Sequence, residues 1–245
     1  MFRYKITVEY LGSNFVGWQR QLNGISVQEV LENAITSLTK SNVITYAAGR
    51  TDSGVHAYGQ VVHFDLEKLY QPPALISALN YFLKRTDVII LDCTIVDENF
   101  HARFSAKKRS YIYRILNRLS NSIIEHNLAW QIKDPINIQD MIEAKSYLIG
   151  THNFTSFQSK GCYSNSPIKS MDKIDITRAK DIIEIYLEAP SFLYHMVRKI
   201  VGNLALVGIG KYKPEKIKEI LDAQSREASF SMAPSCGLYL NNIKY

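Results

Sequence analysis

Cysteine is scarce in this sequence, and its few copies are far apart. The 245 residues include three cysteines, Cys93, Cys162 and Cys236. No two of them have the C-x-x-C spacing of a redox or zinc motif, and an odd number does not form a closed set of disulfides. The scarcity argues against a disulfide framework and a cysteine zinc site, and it predicts a reducing compartment.

Long apolar runs and common cofactor motifs are also missing. The apolar stretch at residues 200–210 is about half as long as a membrane-spanning helix requires. The first residues lack the apolar core of a signal peptide, so the sequence predicts a soluble cytoplasmic protein. The six histidines show no H-E-x-x-H spacing, and no G-x-x-x-x-G-K-[ST] phosphate loop is present. These absences predict that the protein needs neither a metal nor a nucleotide cofactor.

Positive charge is in surplus. Lysine and arginine number 29 against 23 acidic residues, which gives a formal net charge of +6, and there are 15 tyrosines. This surplus fits a polyanionic partner such as nucleic acid, although proteins of many other functions are equally basic. The length fits one large domain or two small ones.

The apolar periodicity predicts the same series of elements twice. In the first half, the alternation from Tyr4 to Tyr10 predicts a strand, and Ser26 with Glu29 three residues later has the capping-box spacing of a helix over 27–38. The other elements predicted in this half are short strands near 43–47 and 60–65, a helix over 74–83 and a strand over 88–96. Their order is β-α-β-β-α-β.

A similar order is predicted after residue 105. The predicted strands are 111–116, 169–178, 182–188 and 237–241, and the predicted helices are 138–148, 192–207 and 214–221. The predicted fold class is therefore α+β, with two tandem ferredoxin-like (β-α-β-β-α-β) halves, residues 1–105 and 106–245. Two such sheets joined edge to edge would leave a central cleft.

The polar segment 49–57 is the first candidate for chemistry. It contains two glycines, Gly49 and Gly54, together with Arg50, Asp52 and His56, and it lies between predicted strands. One interpretation is a surface turn, in which the aspartate bonds nearby backbone N–H groups. The other is an active-site loop, in which an adjacent guanidinium keeps the carboxylate ionised and competent as a nucleophile or base.

Two further segments combine charge with aromatic or apolar residues. Arg109, Tyr111 and Tyr113 would share one face of a strand, an arrangement suited either to phosphate contact with base stacking or to an ordinary solvated face. Arg198 lies in the apolar segment 192–202, most of which is predicted to be core. A charge in so apolar a helix is expected at the rim or paired with a carboxylate.

Six segments resemble one family, and they occur in register along nearly the whole chain. They are 15–21 (FVGWQRQ), 49–57 (GRTDSGVHA), 100–106 (FHARFSA), 150–157 (GTHNFTSF), 192–202 (FLYHMVRKIVG) and 233–238 (APSCGL). Together they resemble the tRNA pseudouridine synthase A family, which isomerises uridines 38, 39 and 40 in the anticodon arm of tRNA.

The resemblance implies two tandem ferredoxin-like halves and a homodimer whose basic clefts hold tRNA. By position, Asp52 resembles the family's nucleophilic aspartate, and Arg50 the arginine that pairs with it and helps to displace the target base. Tyr111 resembles the tyrosine that stacks on the uracil, and Arg198 the late-helix arginine that pairs with the aspartate. The isomerisation changes neither redox state nor composition, so no cofactor or metal is expected.

Two positions depart from the family, and neither removes a chemical group. Ser53 stands where the family usually has alanine, and Ser235 where it usually has a second proline. Three other functions stay open at this point: a non-catalytic tandem RNA-binding protein, an inactive family member acting as an RNA chaperone, and a small-molecule enzyme on the same fold. The first would carry the aromatic signature of RNA-recognition sheets, which is absent, and the second would lack Asp52.

Overall fold

The computed structural model describes residues 1–162 and 164–245. The chain forms two compact units: Met1–Lys107 together with Tyr239–Tyr245, and Lys108–Leu238. The predicted boundary after residue 105 lies two residues before Lys107, and Tyr239–Tyr245 group with the first unit because the final strand pairs there. A periodic pattern reveals a strand but not its neighbour, so the sequence had placed this strand with the half that precedes it.

The first unit is a mixed sheet with two helices. Strand β1 is antiparallel to both β3 and β4, β2 pairs with β3, and β11 runs parallel to β3. The bounds are β1 Phe2–Tyr10, α1 Val27–Thr39, β2 Tyr46–Ala47, β3 His56–Leu66, α2 Pro72–Leu83, β4 Val88–Val96 and β11 Leu238–Lys244. The predicted order β-α-β-β-α-β is found here.

Alternation and capping account for the first strand and helix. Tyr4, Ile6 and Val8 on β1 are wholly buried, while the residues between them are more exposed. The Ser26 hydroxyl accepts a hydrogen bond from the Glu29 N–H at 3.2 Å, so one half of the predicted capping box is formed. Leu31 lies on the apolar stripe that α1 buries.

The second unit also mixes parallel and antiparallel strands. Strand β10 is antiparallel to β5 and β9, β6 is parallel to β5, and β7 and β8 form a separate antiparallel pair. The bounds are β5 Lys108–Asn117, β6 Trp130–Ile132, α3 Ile138–Ser146, β7 Gly150–Asn153, β8 Ile168–Met171, β9 Lys173–Ala179, β10 Ile182–Ala189, α4 Met196–Gly208 and α5 Lys216–Asp222. The architecture is α+β, with mixed sheets.

Two sequence-based predictions in the second unit need correction, and two short strands have no counterpart among the predicted elements. The helix predicted from residue 192 begins at Met196, because His195 has a left-handed backbone with φ of +63°. The strand predicted over 169–178 is two strands separated at Asp172, of which one pairs with β7 and the other with β10. Strands β6 and β7 are too short to show a period and were not predicted.

Within the described ranges 1–162 and 164–245, no helix combines the length and the apolar character needed to cross a bilayer.

Candidate active site

In the first unit, the loop of residues 49–57 lies against residues 12–18. The Trp18 N–H donates to the Thr51 carbonyl at 3.0 Å, and Gly17 and Asp52 form an antiparallel β-bridge. After the bridge, the Val55 N–H donates to the Asp52 carbonyl at 3.1 Å. The backbone of Asp52 is therefore fixed on both sides, and its side chain is half-buried.

The close approach of the two segments requires glycine. Gly17 has φ of +116°, and a Cβ atom built on it would lie 2.8 Å from the Thr51 carbonyl oxygen. A Cβ on Gly12 would overlap the Val55 carbonyl. Residues 15–21 and 49–57, which are far apart in the sequence, thus form one structure around Asp52.

Side chains add further anchors to the loop. The Tyr10 and Thr51 hydroxyls lie 2.7 Å apart, and the Ser53 hydroxyl donates to the Phe15 carbonyl at 3.2 Å. The Gln60 amide donates to the Gly49 carbonyl at 2.7 Å. Sequence reasoning missed these contacts, since Tyr10 resembles any core residue at the end of an alternating strand.

Helix α1 is hydrogen-bonded to residues 17 and 18, in the segment that lies against the loop of residues 49–57. The N–H groups of Val27 and Gln28 donate to the carbonyls of Gly17 and Trp18 at 3.2 and 3.0 Å. These are N–H groups of the first helical turn, which have no partner within the helix. The Trp18 side chain is buried, with its ring centroid 6.1 Å from that of Tyr10. The loop is thereby tied to the core of the first unit.

Arg50 and His56 differ in their surroundings. Arg50 is exposed in the loop, two residues before Asp52. His56 is buried, its Nδ1 accepts a hydrogen bond from the Gly12 N–H at 3.0 Å, and its ring stacks on Tyr239 at 4.6 Å. His56 therefore holds the scaffold of the loop, and of the three polar residues that the sequence grouped there, Arg50 and Asp52 are the more accessible.

In the second unit, the two tyrosines of β5 have different environments. Tyr111 is half-buried and its ring meets Phe192 edge to face at 5.1 Å. Tyr113 is 0% exposed and its hydroxyl donates to the Pro234 carbonyl at 2.8 Å. Burial raises the pKa of the Tyr113 phenol far above its ordinary value, although the nearby charge of Arg198 opposes the rise. Tyr113 is thus a core residue, not an exposed ring beside Tyr111.

Arg198 is half-buried on α4 and tied to the segment that precedes β11. Its Nε donates to the Ala233 carbonyl at 2.8 Å, and the Ala233 N–H donates to the Arg198 carbonyl at 3.0 Å. The next residue, Lys199, donates to the Gln158 carbonyl at 3.1 Å, and burial lowers the pKa of its ammonium group. Both cations of this helix are therefore held by backbone carbonyls.

Two cations of β5 form ion pairs within the second unit. Lys108 pairs with Asp172 at 2.8 Å, and Arg114 pairs with Glu125 at 2.9 Å. Each of these two cations thus has a carboxylate partner in this structure. Among residues 1–162 and 164–245, no group of three or more His, Cys, Asp or Glu side chains is arranged to hold a metal ion.

Comparison with known proteins identifies the family. The sequence profile of the family described as tRNA pseudouridine synthase matches residues 6–105 and 144–245. Two similar proteins are named tRNA pseudouridine synthase A, from Orientia tsutsugamushi strains Boryong and Ikeda. They are 46% and 47% identical to the chain, and each alignment covers the whole of this chain and the whole of the relative. The chain therefore belongs to the tRNA pseudouridine synthase family.

Proposed function

We propose that this protein isomerises uridine to pseudouridine at positions 38, 39 and 40 of the tRNA anticodon stem-loop, with Asp52 as nucleophile and no cofactor. The observation that carries the proposal is the fixed backbone of Asp52, bridged to Gly17 and flanked by the hydrogen bond from Trp18 to Thr51. A fixed backbone limits the positions open to the carboxylate that it carries, and such pre-organisation lowers the barrier of the chemical step.

The reaction breaks the bond between N1 of uracil and C1′ of ribose and forms a bond between C5 and C1′. The C5 proton leaves and N1 gains a proton, so atoms and electrons balance within the nucleotide. The carboxylate bonds transiently to the nucleotide, at C6 of the uracil or at C1′ of the ribose, and this bond breaks again before the product leaves, which restores the free carboxylate. The uridine must also leave its stack, at a cost of a few kcal/mol.

We assign supporting roles to three other residues on the basis of the family motifs. Arg50, exposed in the same loop, occupies the space that the displaced uridine vacates. Tyr111, half-buried against Phe192, stacks on the uracil. Arg198 supplies positive charge to the aspartate, and its hydrogen bond to Ala233 fixes the guanidinium in one orientation.

The finer architecture belongs to the same proposal. The strand order β4-β1-β3-β2 and the element order of the first unit support a ferredoxin-like half. The series β5-α3-β9-β10-α4 supports a second one after residue 105, with the boundary between the halves near there. We propose a cytoplasmic homodimer that binds tRNA, in keeping with the net charge of +6.

Tritium release from C5-labelled uridine in unmodified tRNA transcripts tests the activity. We expect release, with pseudouridine mapped to positions 38, 39 and 40, and none from a matched transcript that carries cytidine at those positions. Release that persists in the cytidine transcript would refute the site assignment. Binding of tRNA without release would favour a non-catalytic RNA-binding protein. Chelation of metal ions should leave the rate unchanged once the tRNA is shown to stay folded.

A further inference from the structure

Two buried tyrosines stand on the same strand, and each hydroxyl contacts a different segment. Tyr4 is 0% exposed, and its hydroxyl donates to the Tyr70 carbonyl at 3.0 Å and accepts from the Tyr70 N–H at 2.7 Å. Tyr10 is 3% exposed, and its hydroxyl lies 2.7 Å from the Thr51 hydroxyl, which belongs to the residue directly before Asp52. The Tyr4 phenol thus holds a loop that precedes α2, and the Tyr10 phenol holds the loop that carries Asp52.

The contact between the Tyr10 and Thr51 hydroxyls restrains the residue directly before Asp52. Thr51 is 8% exposed, so the pair of hydroxyls is shielded from water and is a stronger constraint than an exposed bond. The Thr51 carbonyl is already held by the Trp18 N–H at 3.0 Å. The Tyr10 hydroxyl adds a second restraint to the same residue, from its side chain, and so limits rotation of the backbone that leads into Asp52.

Tyr10 is itself firmly placed. It ends β1, pairs in register with Ala57 on β3 and Val88 on β4, and packs its ring against Trp18. A phenol fixed by two strands and an indole has little freedom to follow a moving loop. The loop must instead conform to the phenol.

We propose that Tyr10 is a positioning residue for the isomerisation, acting through the Thr51 hydroxyl to hold the Asp52 carboxylate at its reacting position. This inference rests on the proposed role of Asp52. Tyr10 itself does not contact the substrate in this proposal. Its loss should therefore slow the chemical step and leave the affinity for tRNA unchanged.

Four variants test the proposal under single-turnover conditions with the tRNA transcript. Tyr10→Phe and Thr51→Val each remove one hydroxyl of the pair, Thr51→Ser keeps it, and Tyr4→Phe is the matched control. We expect the first two to lower the single-turnover rate about ten- to a hundredfold, as small misplacements of catalytic groups do. The rate of Thr51→Ser should lie closer to wild type than that of Thr51→Val, and that of Tyr4→Phe should match wild type.

Three readouts separate positioning from general destabilisation. The melting temperature should fall at least as much in Tyr4→Phe as in Tyr10→Phe, because the Tyr4 hydroxyl makes two hydrogen bonds to Tyr70, and the Kd for tRNA should not change in either variant. The double variant Tyr10→Phe/Thr51→Val should be no slower than the slower single variant, because both act through one contact.

A rate for Tyr10→Phe equal to that of Tyr4→Phe would overturn the proposal, as would multiplicative effects in the double variant. A wild-type protein that releases no tritium would instead refute the proposed function, so the two failures are distinguishable.

Discussion

The Tyr113 hydroxyl donates a hydrogen bond to the Pro234 carbonyl at 2.8 Å, inside the second unit. Its ring also meets Trp130 edge to face, with centroids 6.3 Å apart. The Tyr113 phenol is wholly buried, whereas Tyr111, two residues earlier on the same strand, is half-buried. The pair offers an internal comparison between a proposed substrate contact and a core tyrosine.

Replacing each tyrosine by phenylalanine should separate activity from stability. If the Tyr111 phenol assists removal of the C5 proton, Tyr111→Phe should lower the single-turnover rate by roughly 10²–10⁴. Tyr113→Phe should keep the rate but lower the free energy of unfolding by about 1–3 kcal/mol, since the Pro234 carbonyl loses its donor. Tritium release and urea titration measure the two effects. Equal single-turnover rates for the two variants would mean that the Tyr111 hydroxyl has no special role and that the assignment of this ring to the uracil is wrong.

Asp52→Asn should abolish turnover while tRNA still binds. The substitution preserves the shape of the side chain and removes the negative charge that a nucleophile requires. Asp92→Asn, at an exposed position on β4, is the matched control and should behave as wild type. Pseudouridine formed by purified Asp52→Asn protein would show that another group is the nucleophile.

Arg198→Met should move the acid side of the pH–rate profile to higher pH. A cation near a carboxylate favours its ionised form, so removing the cation raises the carboxylate pKa and more base is needed to ionise it. Lys199→Met is the matched control: it removes the neighbouring cation that is bound to backbone carbonyls and should lower stability without moving the profile. A loss of activity with an unshifted profile would indicate a purely structural Arg198.

Ser53→Ala should be nearly neutral for activity. Its hydroxyl donates to the Phe15 carbonyl in a part-buried bond of 3.2 Å, whereas the pair of Tyr10 and Thr51 hydroxyls is buried and 2.7 Å apart. Losing such a bond should lower the free energy of unfolding by at most about 1 kcal/mol. Urea titration measures the free energy of unfolding of Ser53→Ala, and single-turnover kinetics measure its activity. A rate loss of tenfold or more would mean that the loop depends on this anchor as well.

Acid should destabilise the protein in part through His63. Burial, with help from the neighbouring His101 and Arg3, lowers the His63 pKa from 6.5 to about 4, while Asp65 opposes the shift. Between these two pH values His63 is protonated in the unfolded chain and neutral in the folded protein. The free energy of unfolding therefore decreases as pH falls from about 6.5 towards 4. The full shift corresponds to at most about 3 kcal/mol.

Urea titrations at pH 7.5 and pH 5 measure this loss. We expect His63→Gln to lose less stability than wild type between the two conditions, since glutamine does not titrate. His126→Gln, at an exposed histidine, should lose as much as wild type. Identical losses in all three proteins would assign the acid sensitivity to other groups.

Local elements of this fold could be predicted from the sequence, whereas contacts between distant segments could not. The predicted bounds of β4 are those observed, and Ser26 caps α1, because periodicity and capping act over a few residues. The start of α4 was predicted four residues too early, since an apolar stripe does not reveal the left-handed backbone of His195. Likewise, Asp52 could be singled out by its glycine-flanked loop. That Gly17 and Tyr10 hold this loop depends on pairing across the unit, which no local pattern encodes.

Strand β11 pairs with β3 but is synthesised much later, which affects the order in which the first unit forms during translation. Tyr239 and Leu240 pair with His56 and Ala57, next to the Asp52 loop, although all of Lys108–Leu238 lies between. At about 5–20 residues per second, a ribosome needs on the order of ten seconds to synthesise that stretch. For this time the start of β3 has an unpaired hydrogen-bonding edge, open to association with other chains. The unit that is synthesised first is therefore the last to be completed, and a nascent chain adds the strand that pairs with His56 and Ala57 only after the second unit has been made.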